Sequence, residues 1–302
     1  MDRSVRIPAL TVALVVMAVL CTWVLGHLPW VMDGFRTNRD STVGGSAEGL
    51  ADVRLAIPLV AGRITELVAF TAIGAIVAML LPLVFPDLPR SLAVVTCGLT
   101  VAATTLVITF ASRSGISSHA TDAFAGDQRV LDGLVTGVLL TALGAAVLGS
   151  LASAQIGFLP LATAVLVSQL PVWLGALLDD RSAADAAYRV LAVVMLTAAF
   201  VLSVRRALGW IVLWPVALLV VWTAAPLRIA TGRLEDRLRP ASGVNGANLS
   251  DVFADAREVF RASYWHAQQV WWPGVLAVVL ALAWVLVQRR RGDRAPRPSP
   301  VA

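Results

Sequence analysis

Eight long apolar stretches constrain this chain more than any other feature of its sequence. A helix rises about 1.5 Å per residue, so roughly 20 apolar residues cross the ~30 Å hydrocarbon core of a bilayer. The eight stretches are close to that length, and they are residues 8–26, 67–85, 91–110, 130–152, 156–178, 186–204, 208–225 and 270–287. The sixth and eighth have short apolar centres and reach span length only by including Tyr188 or the pair Trp271 and Trp272.

The composition supports the same class of protein. Of the 302 residues, 58% are hydrophobic and 14% are charged, whereas soluble domains carry about 25% charged residues. We therefore predict one all-α domain over residues 1–302, a polytopic transmembrane bundle of about eight spans whose surroundings are the lipid bilayer. No basic face is interleaved with aromatic residues, so nucleic acid is not an expected partner.

The positions of arginine near the spans predict the orientation. If the N-terminus is cytoplasmic, the inner segments hold 10 of the 24 basic residues against three acidic residues, and the run 289–291 is the strongest anchor. The protein then lies in the cell membrane with both termini in the cytoplasm, and the number of spans is even. The inner loops are tight turns, which predict helical hairpins, and the Pro-rich tail 288–302 is expected to be disordered.

Most polar residues fall in two predicted outer inserts, residues 27–66 and 226–269. Both are expected to be partly helical. In the second insert, Asn248 to Asp251 contain a helix N-cap signal with an acidic first turn. Apolar residues then recur at helical spacing and predict an amphipathic helix; they are Val252, Phe253, Ala256, Val259 and Phe260, followed by Ser263.

Aromatic side chains cluster between this helix and the last span. The cluster consists of Tyr264, Trp265, His266, Trp271 and Trp272. Tryptophans near span ends form an aromatic belt in many membrane proteins. The cluster therefore has two interpretations, an interfacial belt or a surface that binds a ligand or partner.

Polar groups inside the predicted spans are few. No ionisable residue lies at a predicted span centre, and the nearest are Glu66, Asp132 and Arg189. This argues against a proton-driven transporter, since intramembrane carboxylates form the proton relays of such proteins. The main uncharged polar residues at depth are Thr104, Thr105 and Gln169, which either bond to neighbouring backbone or line a substrate path.

Small residues predict close helix packing. Gly133 and Gly137 form a GxxxG motif in the fourth span, and Gly149 continues the small-residue face. Such faces let helix backbones approach closely. We expect them to pack inside the bundle or, as the second possibility, against a helix of a membrane protein partner.

Catalytic candidates are limited to isolated polar residues on the predicted outer side. The three histidines lack the spacing that places two metal ligands on one helical face, and no nucleotide-binding motif occurs, so neither a metal ion nor a cofactor is expected. His119, Asp122 and His266 are the candidate catalytic residues; an enzyme could also use Asp33, Asp40 or Glu258.

The sequence favours a non-catalytic transport or accessory subunit of a cell-envelope complex, with its recognition surface on the outer face. The alternative is an envelope enzyme that acts on a lipid-linked substrate at the outer leaflet. A cluster of His119, Asp122 and His266 would favour the enzyme. A continuous polar groove past Gln169 and Thr104 would favour transport, and an exposed apolar flank around Gly133 would favour a partner subunit.

Overall fold

The chain is helical throughout the part that the computed structural model describes, which comprises residues 3–30, 32, 57, 59, 63–118, 128–178, 180–205, 207–238, 249–265 and 271–293. Within these residues no β-strand occurs. The helices are α1 (Arg3–Val19), α2 (Ile64–Leu80), α3 (Arg90–Ser118), α4 (Gln128–Ala154), α5 (Leu159–Leu177), α6 (Arg181–Val204), α7 (Leu213–Leu238), α8 (Leu249–Ser263) and α9 (Trp272–Asp293). The predicted all-α class is confirmed.

Seven helical segments in the described part of the chain are long and apolar enough to cross a membrane. They match the first seven predicted spans in order, which gives the fold of a helical membrane bundle. The eighth predicted span corresponds to the shorter apolar segment Trp272–Gln288 of α9. This helix packs against α6 and buries Ala277 and Ala281 completely, so it belongs to the bundle.

Helix α7 continues well beyond residue 225, where the sequence predicts that the seventh span ends. Pro226 lies inside the helix and is almost fully buried. A proline removes one backbone hydrogen bond, which membrane helices tolerate because neighbouring helices compensate. The apolar pattern resumes with Leu227, Ile229 and Ala230, so α7 reaches Leu238 and projects into the predicted outer insert.

The core is organised around α2 and α5. Helix α2 packs against α4 and α5, while α5 also packs against α6 and α7. Phe70, Ile76 and Met79 of α2 are almost completely buried, as are Leu196 and Phe200 of α6. The apolar faces of the outer helices remain exposed, as expected for surfaces that contact lipid.

Helices α1 and α2 cross closely at two glycines. A Cβ atom on Gly74 would lie 2.6 Å from the carbonyl oxygen of Thr22, and one on Gly26 would lie 2.8 Å from that of Phe70. The first helix is π-helical over Leu20–Leu25 at this crossing. Its wider turn leaves the Leu25 carbonyl to accept a 3.0 Å hydrogen bond from the Trp173 indole of α5. The crossing therefore fixes α1 against two neighbouring helices.

The end of the bundle opposite α8 is closed by short turns. Arg6 of α1 forms a 2.6 Å ion pair with Asp87 in the turn between α2 and α3. The Arg90 side chain donates a hydrogen bond to the carbonyl oxygen of Ser153. The Ser153 hydroxyl in turn donates a hydrogen bond to the carbonyl oxygen of Met79. These contacts connect the turn that follows α2 to the turn that follows α4.

The other end carries α8, which packs against α7. The part of α7 after Pro226, residues 227–238, is called the α7 extension. The Asp255 carboxylate of α8 accepts hydrogen bonds from the Nε atoms of Arg233 at 3.1 Å and Arg237 at 3.3 Å. One face of α8 carries buried Val252 and half-buried Val259 and Phe260, although Phe253, predicted for the same face, is exposed. The extension also contacts α2, because Glu235 accepts a hydrogen bond from the backbone nitrogen of Thr65.

Candidate functional site: a cavity beside α7

The main candidate site is a cavity of about 670 Å³ near the end of the bundle that carries α8. We call it the α7 cavity, because α7 forms its longest wall. Its volume lies within the ~300–1,000 Å³ that is usual for small-molecule sites. Five helices contribute side chains: Pro171 from α5; Asp185, Tyr188 and Arg189 from α6; Pro215, Leu218, Leu219, Val221, Trp222, Ala225 and Arg228 from α7; Tyr264 and Trp265 at the end of α8; and Trp271, Gly274 and Val275 at the start of α9.

The α7 cavity exists because α6 and α7 diverge after a shared turn. Near that turn they are in contact, since the Phe200 and Trp214 rings have centroids 4.7 Å apart and the Trp214 indole donates to the Ser203 hydroxyl. Further along, each helix packs mainly against other elements, α6 against α5 and α9, and α7 against α5 and α8. The sixth and seventh spans thus form a hairpin that is closed at its turn and open at its far end.

Aromatic residues from the predicted surface cluster form part of the rim. Tyr264, Trp265 and Trp271 line the cavity, and Tyr264 and Trp265 are in edge-to-face contact with ring centroids 5.2 Å apart. The Trp265 side chain is 81% exposed and that of Trp271 is 58% exposed. Trp272 is also exposed but does not line the cavity, and His266 lies outside the described residues. The large aromatic surfaces of Trp265 and Trp271 are therefore exposed beside the cavity.

Arg228 is the main charged group that the sequence did not single out. Its Nη1 donates a 2.8 Å hydrogen bond to the carbonyl oxygen of Ser168, the central residue of the 19-residue helix α5. Pro171 has no backbone N–H, so the carbonyl oxygen of Val167, the residue before Ser168, lacks its usual donor within the helix. Within the described part of the chain Arg228 has no carboxylate partner.

This position corrects the expectation that ionisable groups occur only near the ends of spans. The sequence places Arg228 in the outer insert, because Pro226 looks like the end of the seventh span. In the structure Arg228 lies within the apolar segment Leu208–Arg237, and its guanidinium reaches the middle of α5. The resumed apolar pattern after Pro226 is the sequence signal that could have revealed it.

Three further polar side chains line the same cavity. Tyr188 interacts electrostatically with Arg228, while Asp185 and Arg189 are separated by one turn of α6 and share a face. The charged lining residues in the described part are thus two arginines and one aspartate. The cavity combines apolar and aromatic walls with a positive balance, which suits an amphiphile carrying an anionic group.

The other ionisable residues predicted near span ends are engaged elsewhere. The Glu66 carboxylate accepts a 3.1 Å hydrogen bond from Arg63, and the Arg63 guanidinium lies 4.9 Å from the centroid of the Trp30 ring. Asp132 pairs with Arg113 at 2.7 Å across α3 and α4. Of the three residues, only Arg189 therefore faces the α7 cavity.

The deep polar residues do not share one cavity. Thr104 lines a shallow apolar depression together with Trp23. Thr105 is buried beside His27, Thr71 and Thr109 around a very small polar pocket. Gln169 is half-buried, and its side chain donates to the Ser168 hydroxyl at 3.0 Å. Thr104 and Thr105 thus line different pockets, and the Gln169 side chain is engaged with Ser168.

The three predicted packing glycines have different surroundings. A Cβ atom on Gly149 would lie 2.5 Å from the Met79 Cβ, so this glycine packs closely against α2. Gly133 and Gly137 face away from the bundle, with open space where a Cβ atom would project. Only Gly149 therefore supports helix packing within this chain.

Most of the candidate catalytic residues fall outside the part of the chain that the structure describes. His119, Asp122 and His266 lie outside the described residues, as do Asp33 and Asp40. Glu258 is described and lies on the exposed face of α8. Among the described residues, no three side chains of the types His, Cys, Asp and Glu form a group that could hold a metal ion.

No protein-family model, curated protein or solved structure matches this chain. Its class therefore follows from the fold itself. The apolar helices define a multispan integral membrane protein of the helical-bundle type, and the α7 cavity is its main candidate site among the described residues.

Proposed function

We propose that this protein is a non-catalytic transport or accessory subunit of a cell-envelope complex that recognises an amphiphilic ligand in the α7 cavity. One observation carries the proposal: exposed Trp265 and Trp271 stand at the mouth of a cavity that also contains the partly buried Arg228. An unpaired charge within a span costs up to ~2.5–3.5 kcal/mol on the insertion scale. A ligand that pairs with it would recover part of this energy.

The proposal includes the orientation expected from arginine. With both termini in the cytoplasm and α9 as the eighth span, the α7 cavity opens at the outer face of the cell membrane. Tryptophan side chains are favoured at the level of the lipid head groups, and Leu219 and Val275 of the cavity wall are also exposed. The cavity is then accessible both from the outer surface and from the outer leaflet.

Purification in mild detergent, followed by native mass spectrometry, tests this function. Val275→Trp would fill the cavity, whereas Val279→Trp introduces the same change one turn further along α9, outside the cavity and at a similarly exposed position. We expect the wild type and Val279→Trp to retain a bound amphiphile that Val275→Trp has lost. Equal occupancy in all three proteins would contradict a functional role of the cavity.

The same preparation separates the possible roles. A stoichiometric protein partner that is lost when residues 264–272 are replaced by a neutral linker would indicate an accessory subunit. A bound amphiphile without a partner would indicate transport.

The envelope enzyme is the second candidate, because Asp185 lines the same cavity. Chemical turnover of the bound amphiphile that disappears in Asp185→Asn would replace our proposal with that one.

A further inference from the structure

The charges around the α7 cavity carry an inference about what the ligand is. It rests on the proposed function, because it assumes that an amphiphile occupies the cavity, and it adds the chemistry of the head group. We propose that the α7 cavity binds a lipid phosphate monoester, with Arg228 as the residue that contacts the phosphate.

The hydrogen bonding of Arg228 is the first step of the argument. A guanidinium has five N–H donors in a planar fork, and the structure gives Arg228 a bond from Nη1 to Ser168. That bond fixes the side chain against α5 while the guanidinium also lines the cavity. Such a fork matches the oxygens of a phosphate group bidentately. The residue is therefore anchored in a position from which it can donate to an anion.

The second step concerns the number of charges. Arg228 projects from α7 and Arg189 from α6, so the two cations belong to different walls of the cavity. Asp185 offsets one of them. A phosphate monoester carries about −1.5 to −2 charges near neutral pH and has three strong acceptor oxygens, so it can satisfy donors from both walls. A carboxylate matches the net charge of +1 but has only two oxygens, so it is the poorer complement to donors on two walls.

The third step identifies the phosphate as part of a lipid. The remaining walls are mainly apolar, and Leu219 and Val275 lie beside the cavity with exposed side chains. An acyl or prenyl chain can contact these residues and continue into the bilayer. The aromatic rings of Trp222, Trp265 and Trp271 supply flat apolar surfaces where the chain meets the head group. Free phosphate would leave all of these surfaces unused.

Binding of three probes to the purified full-length protein in a phosphate-free maltoside detergent tests the inference. The probes are farnesyl monophosphate, farnesol and inorganic phosphate, and calorimetric titration gives each dissociation constant. We expect farnesyl monophosphate to bind at least tenfold more tightly than farnesol, which corresponds to about 1.4 kcal/mol. Inorganic phosphate should bind more weakly than either.

Two arginine variants localise the effect. Arg228→Met should lose at least tenfold in affinity for farnesyl monophosphate while its affinity for farnesol is unchanged, which also shows that the variant is folded. Arg257→Met removes an exposed arginine of α8 that does not line the cavity, and it should bind both probes like the wild type. Arg189→Met should weaken only the phosphate probe, by a smaller factor.

The possible failures are distinguishable. If farnesol and its monophosphate bind equally, and Arg228→Met alters neither, phosphate recognition is wrong but binding of an amphiphile stands. If inorganic phosphate binds as tightly as farnesyl monophosphate and depends on Arg228, the site takes a free anion and the lipid is wrong. If neither farnesyl probe binds, or if Val275→Trp leaves their binding intact, the proposed function fails together with this inference.

Discussion

The Arg228 guanidinium donates a 2.8 Å hydrogen bond to the backbone carbonyl oxygen of Ser168, so a charge on α7 is held at the middle of α5. We expect Arg228→Met to change the stability of the ligand-free protein by no more than ~2 kcal/mol. Removal of the charge recovers up to ~2.5–3.5 kcal/mol of burial cost, while the lost charged hydrogen bond costs ~1.5–3 kcal/mol. Thermal unfolding in detergent measures the difference. A loss of several kcal/mol would assign Arg228 a structural role instead.

The crossing of α1 and α2 should tolerate no added methyl group at Gly74. A Cβ atom there would lie 2.6 Å from the Thr22 carbonyl oxygen, so Gly74→Ala must push the helices apart and should destabilise the protein by ~1–3 kcal/mol. Gly144→Ala is the matched control in α4, where a Cβ atom projects into open space. There alanine should stabilise the helix by ~0.5–1 kcal/mol. Unfolding both variants in the same detergent tests the contrast, and equal effects would contradict the close crossing.

Docking of α8 on α7 should depend on salt. Asp255 pairs with both Arg233 and Arg237, and partly exposed ion pairs contribute ~0.2–1 kcal/mol each and weaken as salt increases. We expect Asp255→Ala to speed amide hydrogen exchange in α8, and we expect the wild type to approach the same rate at high salt. Glu258→Ala, on the exposed face of α8, is the control. If exchange is unaffected by Asp255→Ala, apolar packing alone holds the helix.

The start of α6 should loosen in acid. Asp180 is its N-cap: the Ser182 hydroxyl and then the Ser182 backbone N–H bond to this carboxylate and lower its pKa below the ordinary 3.8. Because the folded pKa is depressed, the carboxylate stabilises the helix fully above its ordinary pKa. The contribution is lost as the pH falls through the folded value. The hydrogen-exchange protection of Ser182 to Asp185, corrected for the intrinsic pH dependence of exchange, should therefore decrease below about pH 4.

The variants Asp180→Ala and Ser182→Ala check this assignment. Asp180→Ala should already show low protection at neutral pH and little further loss of protection in acid, because the titrating group is absent. Ser182→Ala removes the hydroxyl donor and should move the transition to higher pH, toward the ordinary value. An acid transition that persists in Asp180→Ala would have to come from another carboxylate.

The proposed orientation can be tested by accessibility from each side of the membrane. Trp265→Cys should react with a membrane-impermeant thiol reagent in intact cells, since this side chain is 81% exposed at the cavity mouth. The native Cys21 and Cys97 are buried and give a low background. A reporter enzyme that is active only in the cytoplasm should be active when fused after residue 302. Activity of an exported reporter at that position would contradict a cytoplasmic C-terminus.

Local sequence patterns were sufficient for most of the fold. The apolar stretches predict the helices, and the short turns around Asp87 and Ser153 predict where the chain reverses, because both depend on residues close together in the sequence. The amphipathic helix α8 is also predicted by its spacing, although its partner is not. That partner is the end of α7, and the sequence does not predict it because α7 continues as a helix past Pro226.

The candidate site could be predicted only in part, because it combines residues that are distant in sequence. Tyr264, Trp265 and Trp271 form a compact cluster that composition reveals. Arg228 and Tyr188 become relevant only because α6 and α7 diverge, which no local pattern encodes. The glycines show a different limit: Gly133 and Gly149 are sixteen residues apart, which is about 160° around an α-helix. They therefore do not share a face, and of the two only Gly149 meets another helix among the described residues.

The contact between Glu235 and Thr65 makes α7 a mechanical connection across the bundle. Arg228 and Glu235 are seven residues apart, so they project from the same side of the helix. Arg228 donates a hydrogen bond to Ser168 in the middle of α5, and Glu235 accepts one from the Thr65 backbone in the first turn of α2. Rotation or sliding of α7 would therefore strain both attachments at once. A ligand that shifts α7 would therefore also act on α2, the helix around which the other half of the bundle is packed.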